Sequence, residues 1–166
     1  FFAMAHNLRR VDDVDKVTAN LGVQGGRVLR QKIGSMEQQL DAQVERYKQA
    51  NADSDPGEIQ KIRELFIIFD ADLSGDLNVD EMVAMYEKLE KPKNRLQVQK
   101  EIAKYDTSKS GTLDLFEFLE MSLGAGANPF LKTLLFFKQL ELKNAEEAAR
   151  AADPKAAFMA SRGKRQ

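Results

Sequence analysis

The chain has 166 residues, with 25 Lys plus Arg against 26 Asp plus Glu and a net charge of −1, so it lacks the overall basic field that nucleic-acid binding uses. It has no Cys and one His, His6, which excludes disulfides, thiolate zinc sites, cysteine nucleophiles and histidine-based metal sites or triads. No apolar run approaches the roughly 18 residues of a membrane span, and 43% apolar residues with four Pro point to a folded, largely helical protein.

In chain order, Leu8, Val11, Val14, Val17 and Leu21 predict a short first helix that ends at Gly22, and the glycine-bearing stretch 23–26 reads as a linker. A second helix is expected over 27–51. Its Leu29, Ile33, Met36, Leu40 and Tyr47 fall on alternating four- and three-residue steps, with polar Gln43 where an apolar residue is due. Such a row suits either a short coiled coil or an amphipathic helix lying on its own domain. The polar break at 51–57 has turn chemistry and is taken as a domain boundary.

The next helix, 58–69, carries Ile62, Leu65, Phe66 and Phe69 on one face, and Met82, Met85, Tyr86 and Leu89 repeat that spacing after a charged loop. Pro92 breaks the chain. Leu96, Val98, Ile102 and Tyr105 are expected to form the face of a further helix, followed by a polar loop and then Phe118, Leu119 and Met121. The stretch 122–126 contains glycine and reads as non-helical. Asn128 before Pro129 is a start signal for a strongly apolar helix through Leu134, Phe137 and Leu140 to about Ala152. Three parts result: a helical extension over 1–57, a central unit over 58–123, and a helix with a basic, frayed tail over 124–166.

Charge separates these parts. Residues 58–123 carry fourteen acidic against nine basic side chains, and residues 124–166 carry eight basic against four acidic. Clustered acids repel, and either solvation or a bound cation relieves them. Spacing decides for the cation. Asp70-Ala-Asp-Leu-Ser-Gly-Asp-Leu-Asn-Val-Asp-Glu81 places side-chain oxygens at its first, third, fifth, ninth and twelfth positions. A hard cation such as Ca²⁺ takes six to eight oxygens at about 2.3–2.6 Å. Asp70, Asp72 and Ser74 supply side-chain oxygens, Asp76 its carbonyl, Asn78 acts directly or through a water, and Glu81 closes with both oxygens. Gly75 stands where the chain must turn with positive φ. The loop 106–117 repeats the pattern with Asp106, Ser108, Ser110, the carbonyl of Thr112, Asp114 and Glu117, and Gly111 at the turn. Leu77 and Leu113, each at the eighth position, can pair as a short antiparallel bridge between the loops.

Residues 58–123 resemble a pair of EF-hands, the helix–loop–helix calcium sites of the calmodulin superfamily. The expected fold is therefore all-α: a paired EF-hand lobe with a short β-bridge between its loops, flanked by N-terminal helices and a C-terminal apolar helix. Two Ca²⁺ sites are expected. Kd is on the order of 10⁻⁷–10⁻⁵ M, with the first loop the tighter because it has carboxylates at its first and third positions. The segments 88–96 and 118–124 are further similar to the allograft inflammatory factor and swiprosin group. That resemblance spans about residues 58–140 and implies small cytoplasmic proteins that associate with actin filaments and often dimerise. The intact loops and the N-terminal helices depart from it.

Met82, Met85 and Met121, with Phe66 and Phe69 beneath them, are placed to line a calcium-exposed groove for a protein target or a second copy. Each alone reads as an ordinary core residue, while as a set in a paired-hand domain they favour a groove. The helix from Pro129 either docks into that groove or packs on a partner. Docking is the favoured arrangement because two hands alone make a small core, and calcium is then expected to change the accessibility of this helix. The expected function is a calcium-responsive adaptor or sensor. The alternative is a constitutive structural subunit of a cytoskeletal assembly, actin- or microtubule-associated, or of another assembly, with calcium only structural. The helical extensions have no use in a pure buffer. No enzyme is expected, because every carboxylate cluster is explained as a ligand set. Arg162, Lys164 and Arg165 read as solvated, with an acidic filament or membrane surface as the other reading. The chain begins at Phe1 without an initiator methionine, as a processed or partial polypeptide would; a cytoplasmic location is the default, with a cytoskeletal one as its narrower form.

Overall fold

The computed structural model describes residues 22–152. Its elements are α1 (Gly22–Ala50), α2 (Pro56–Phe69), β1 (Asp76–Leu77), α3 (Val79–Lys88), α4 (Arg95–Tyr105), β2 (Leu113–Asp114), α5 (Leu115–Leu123) and α6 (Pro129–Ala152). The architecture is all-α. Among the described residues the sheet consists of β1 and β2, antiparallel, with Leu77 opposite Leu113 and Asp76 opposite Asp114. Both leucines are fully buried, so the bridge joins the two loops back to back over an apolar contact.

Local chemistry sets the helix ends. Asp55 caps α2, accepting from the Gly57 amide ahead of Pro56 at the first turn. Asn78, Asn94 and Asp114 each open a helix with a reciprocal capping box, closed by Glu81, Gln97 and Glu117 respectively. In α3 and α5 the capping-box glutamate is also the last residue of the polar loop, so helix start and loop closure are one structure. Asn128 accepts from the Phe130 amide and starts α6.

Three sequence expectations are corrected. The stretch 23–26 is helix rather than linker. Each glycine costs about 1 kcal/mol there, but extending an existing helix adds one hydrogen bond per residue fixed without a new nucleus. Leu96 does not share a face with Val98: it is 68% exposed while Val98 and Ile102 are buried, since two residues turn a helix by about 200°. Ser122 and Leu123 belong to α5, which stops at Gly124. A Cβ at Gly124 would meet the Glu120 carbonyl oxygen at 2.4 Å. The helix expected over 8–21 lies outside the described residues.

Among the described residues one core spans all the helices. α1 contributes Ile33, Met36, Leu40, Val44 and Tyr47, and α6 contributes Leu131 and Leu135. α1 lies against α5 and α2, and α6 against α2 and α5. Of the two arrangements open for 27–51, an amphipathic helix on its own domain is the one adopted. The Met/Phe groove is closed in the same way. Met82, Met85 and Met121 are at most 1% exposed, and Phe66 and Phe69 are buried with them. The apolar rows of α1 and α6 supply the area that two hands cannot bury alone. α6 is held at its edge by Lys132 to Glu58 at 2.7 Å and by Gln139 to Glu64 at 2.9 Å. Its outer side leaves Phe130, Phe137 and Leu140 more than half exposed. Among the described residues no helix is long and apolar enough to cross a membrane.

Candidate metal centre

The loop 70–81 leaves α2 at Asp70, whose carboxylate is folded back into its own turn. Oδ1 accepts from the Ser74 amide at 3.0 Å and Oδ2 from the Gly75 amide at 2.9 Å. Gly75 makes this possible with φ +87°. Asp72 also accepts from the Ser74 amide, at 3.0 Å. Ser74 Oγ reaches Asp70 Oδ1 at 3.3 Å and donates to the Asp76 carbonyl at 2.9 Å. From α3, Glu81 returns across the loop, its Oε1 accepting from the Ala71 amide at 3.0 Å and its Oε2 from the Asn78 amide at 3.1 Å. Asn78 Oδ1 is engaged by the Glu81 amide at 2.9 Å.

Oxygens of Asp70, Asp72 and Glu81 thereby come within 4.8 Å of one another. Asp70 is fully buried and Glu81 nearly so. Burial first, and the neighbouring acids Asp72 and Glu81 after it, push the Asp70 carboxyl up to about 7 against the Gly75 and Ser74 amide bonds. Burial likewise raises Glu81, with the Asp72 charge adding to it. Burial acts upward on Asp72 too, but hydrogen bonds from Ser74 and Asp70 outweigh it and hold that carboxyl low. Lys32 stands outside the loop, its ammonium on the Asp72 carbonyl at 2.7 Å. Three gathered carboxylate oxygens, from the buried Asp70 and Glu81 and the exposed Asp72, each with a lone pair to spare, fit a divalent hard cation.

The loop 106–117 repeats the backbone. Asp106 accepts from the Ser110 amide at 3.0 Å and the Gly111 amide at 2.8 Å, with φ +81° at Gly111. Ser108 and Ser110 donate to Asp106 Oδ1 at 3.0 and 3.4 Å, and Ser110 also reaches the Thr112 carbonyl. Glu117, 2% exposed, accepts from the Ser108 amide at 3.0 Å and, on its other oxygen, from the Asp114 amide at 3.2 Å. Asp114 Oδ1 caps the Glu117 amide at 2.8 Å, as Asn78 Oδ1 does for Glu81 in the first loop. With Ser108 at the third position, this loop has a hydroxyl where the first has the Asp72 carboxylate. Burial slightly opposes ionisation of Asp106, but the Gly111 and Ser110 amides hold its carboxyl low. Burial raises Asp114, and the Glu117 charge adds to that. Asp76 is raised by burial and then by Asp114 and Glu117 across the bridge.

Two features escape sequence reading. Leu73 and Lys109, each at the fourth loop position, have φ of 54° and 57°, a left-handed conformation that their residue types do not advertise. Gln43 donates nothing to the core row it interrupts; its Oε1 accepts from the Leu115 amide at 2.8 Å. The gap in the apolar row was the only signal of it.

Two turn-glycine loops, each closed by a helix-borne glutamate and joined by a two-residue bridge, define a paired EF-hand lobe. Residues 59–123 match the EF-hand domain pair family, and such a pair implies Ca²⁺ binding. The chain is similar to calcium-binding protein B of Dictyostelium discoideum, 23% identical over 120 residues that cover 72% of this chain and 84% of that protein. It is similar also to allograft inflammatory factor 1 of Homo sapiens, 26% identical over 121 residues that cover 70% of this chain and 82% of that protein. The Macaca mulatta allograft inflammatory factor 1 is 25% identical over 121 residues.

Proposed function

We propose that this chain is a calcium-responsive adaptor with one Ca²⁺ site in each loop. Asp70, Asp72, Ser74, the Asp76 carbonyl, Asn78 and Glu81 form the first. Asp106, Ser108, Ser110, the Thr112 carbonyl, Asp114 and Glu117 form the second. The observation that carries this reading is the convergence of the buried Asp70 and Glu81 with the exposed Asp72. The ion supplies positive charge to paired acidic loops; the chain's residues orient the oxygens and link each loop to a helix. Glu81 and Glu117 do the linking, because each belongs to a loop and to the first turn of α3 or α5 at once. Asn78 and Asp114, occupied as caps, act as outer ligands through water. A partner protein is engaged by the helical arms, supported by the exposed Phe137 and Leu140 on α6. Calorimetric Ca²⁺ titration of the native chain, Glu81→Gln and Glu117→Gln tests the sites, with loss of one binding step expected in each variant. Two native-like steps in either variant overturn the assignment.

The alternative, a constitutive structural subunit in which calcium only holds the lobe together, is favoured by the buried methionines, since Met82, Met85 and Met121 are taken up in the core instead of lining a groove. Pull-down with and without calcium separates the two: equal retention supports the structural subunit. Filament co-sedimentation, with actin and with microtubules, tests the cytoskeletal form of either reading.

A further inference from the structure

Glu117 ties the entry of the second loop to α5. Its Oε1 accepts from Thr107 Oγ1 at 3.1 Å and the Ser108 amide at 3.0 Å, while its backbone lies in the first turn of α5. A change of load on this carboxylate is felt by that turn. The same turn is gripped from outside the EF-hand pair. The first amides of a helix have no partner within it, and that of Leu115 is satisfied by Gln43 of α1 at 2.8 Å. The next side chain, Phe116, meets Tyr47 edge-on at 5.6 Å and has the Arg46 guanidinium 4.5 Å above its ring. Gln43, Arg46 and Tyr47 are spaced to lie on one helix face. Farther along α1, Gln39 lies against Gly75 and Lys32 bonds the Asp72 carbonyl. The helix therefore spans the first loop and the exit of the second. An apolar residue at position 43 would continue the buried row of α1, but it would leave the Leu115 amide without an acceptor.

We propose that α1 is the arm through which the calcium state of the second loop leaves the lobe, with Gln43 the positioning residue that couples it to α5. This rests on the calcium reading above. It puts the readout on a helix outside the EF-hand pair instead of on a groove within it.

Hydrogen exchange of the full chain, metal-stripped and with calcium, tests the proposal alongside calorimetry on the same samples. Calcium is expected to change exchange of amides 40–50 by about threefold or more, since local opening reports small shifts in contact free energy. Gln43→Leu is expected to lose most of that response while still binding calcium. Gln43→Glu, which keeps an acceptor oxygen, is expected to retain it. Binding without any change at 40–50 in the native chain, or identical behaviour of the two variants, overturns the proposal and leaves the calcium sites standing. Absence of binding overturns both. If Gln43→Leu fails to fold, a native-like response in Gln43→Ala overturns the coupling and a lost one supports it.

Discussion

Glu81→Gln isolates what the first loop does with its charge. The amide oxygen can still accept from Ala71, but the nitrogen cannot accept from Asn78 as Glu81 Oε2 does at 3.1 Å. Losing that half of the capping box costs about 1 kcal/mol. Against this, Glu81 is a carboxylate whose ionisation is opposed by burial and by Asp72, and a neutral amide relieves that strain. The two effects offset, so the calcium-free protein should change in stability by less than about 1 kcal/mol. Binding has no such offset. One of three converging carboxylates is gone, and affinity should fall about a hundredfold, or ~2.7 kcal/mol. At about 1 mM Ca²⁺, a site with Kd near 1 μM stabilises the fold by about 4.1 kcal/mol, and one weakened a hundredfold by ~1.4 kcal/mol. At about 3 °C per kcal/mol, the calcium-induced rise in Tm should shrink by about 8 °C. Paired thermal melts of native and variant protein, with and without calcium, measure it. A variant whose melting point climbs as far as that of the native chain would refute the placement of Glu81 at the ion.

Lys109 is exposed and held at φ 57°, so Lys109→Gly should raise the melting point of the metal-stripped protein, by about 0.5–1 kcal/mol in stability; a lower melting point would show that the conformation carries no cost. Protons should compete with calcium at the first loop, because the Asp70 carboxyl is raised to about 7 from 3.8. A raised carboxyl binds protons more tightly folded than unfolded, so its contribution to stability is full below about pH 4 and lost as pH rises through 7. Asp76, Glu81 and Asp114 shift the same way, while Asp72 and Asp106 shift oppositely. The metal-stripped protein should accordingly melt higher at pH 5.5 than at pH 8, and calcium should bind more tightly at pH 8. Calorimetry in buffers of different ionisation enthalpy should count protons released near neutral pH in the native chain and fewer in Asp70→Asn.

The parts legible in the sequence are those where one residue type has one job. Gly75 and Gly111 mark positive φ, Pro129 after Asn128 marks a helix start, and Leu77 with Leu113 marks the bridge; each appears in the structure as read. Ligand counting was less direct. Asp114 is a carboxylate on paper, and one of its two oxygens also caps the Glu117 amide, a double role that only three-dimensional geometry reveals. Gln43 was visible as an irregularity, but its partner lies 72 residues away and no local pattern names it. Leu96 lies apart from Val98 because two residues turn a helix by about 200°, which puts it on the exposed side. The glycines of 23–26 suggest a linker, but the 29-residue helix that contains them absorbs their cost.

The buried methionines set the terms of any calcium response. Leu131 and Leu135 of α6 are within 4% of full burial, and each contributes about 2 kcal/mol to docking. The ion pair from Lys132 to Glu58 is partly exposed and adds less than about 1 kcal/mol. Undocking α6 thus costs on the order of 5 kcal/mol. Calcium can shift that balance only by its differential affinity for the two arrangements, and two loops that each favour the undocked lobe tenfold supply about 2.7 kcal/mol. Calcium alone is therefore expected to leave α6 in place, contrary to the calcium-dependent accessibility the sequence suggests, and a partner covering the surface that α6 uncovers would have to provide the remainder. Trypsin should cut at Lys132 and Lys138 equally slowly with and without calcium. Calcium-accelerated cleavage there would mean that α6 is held far more weakly than its leucines imply, and that the lobe opens as a sensor without assistance.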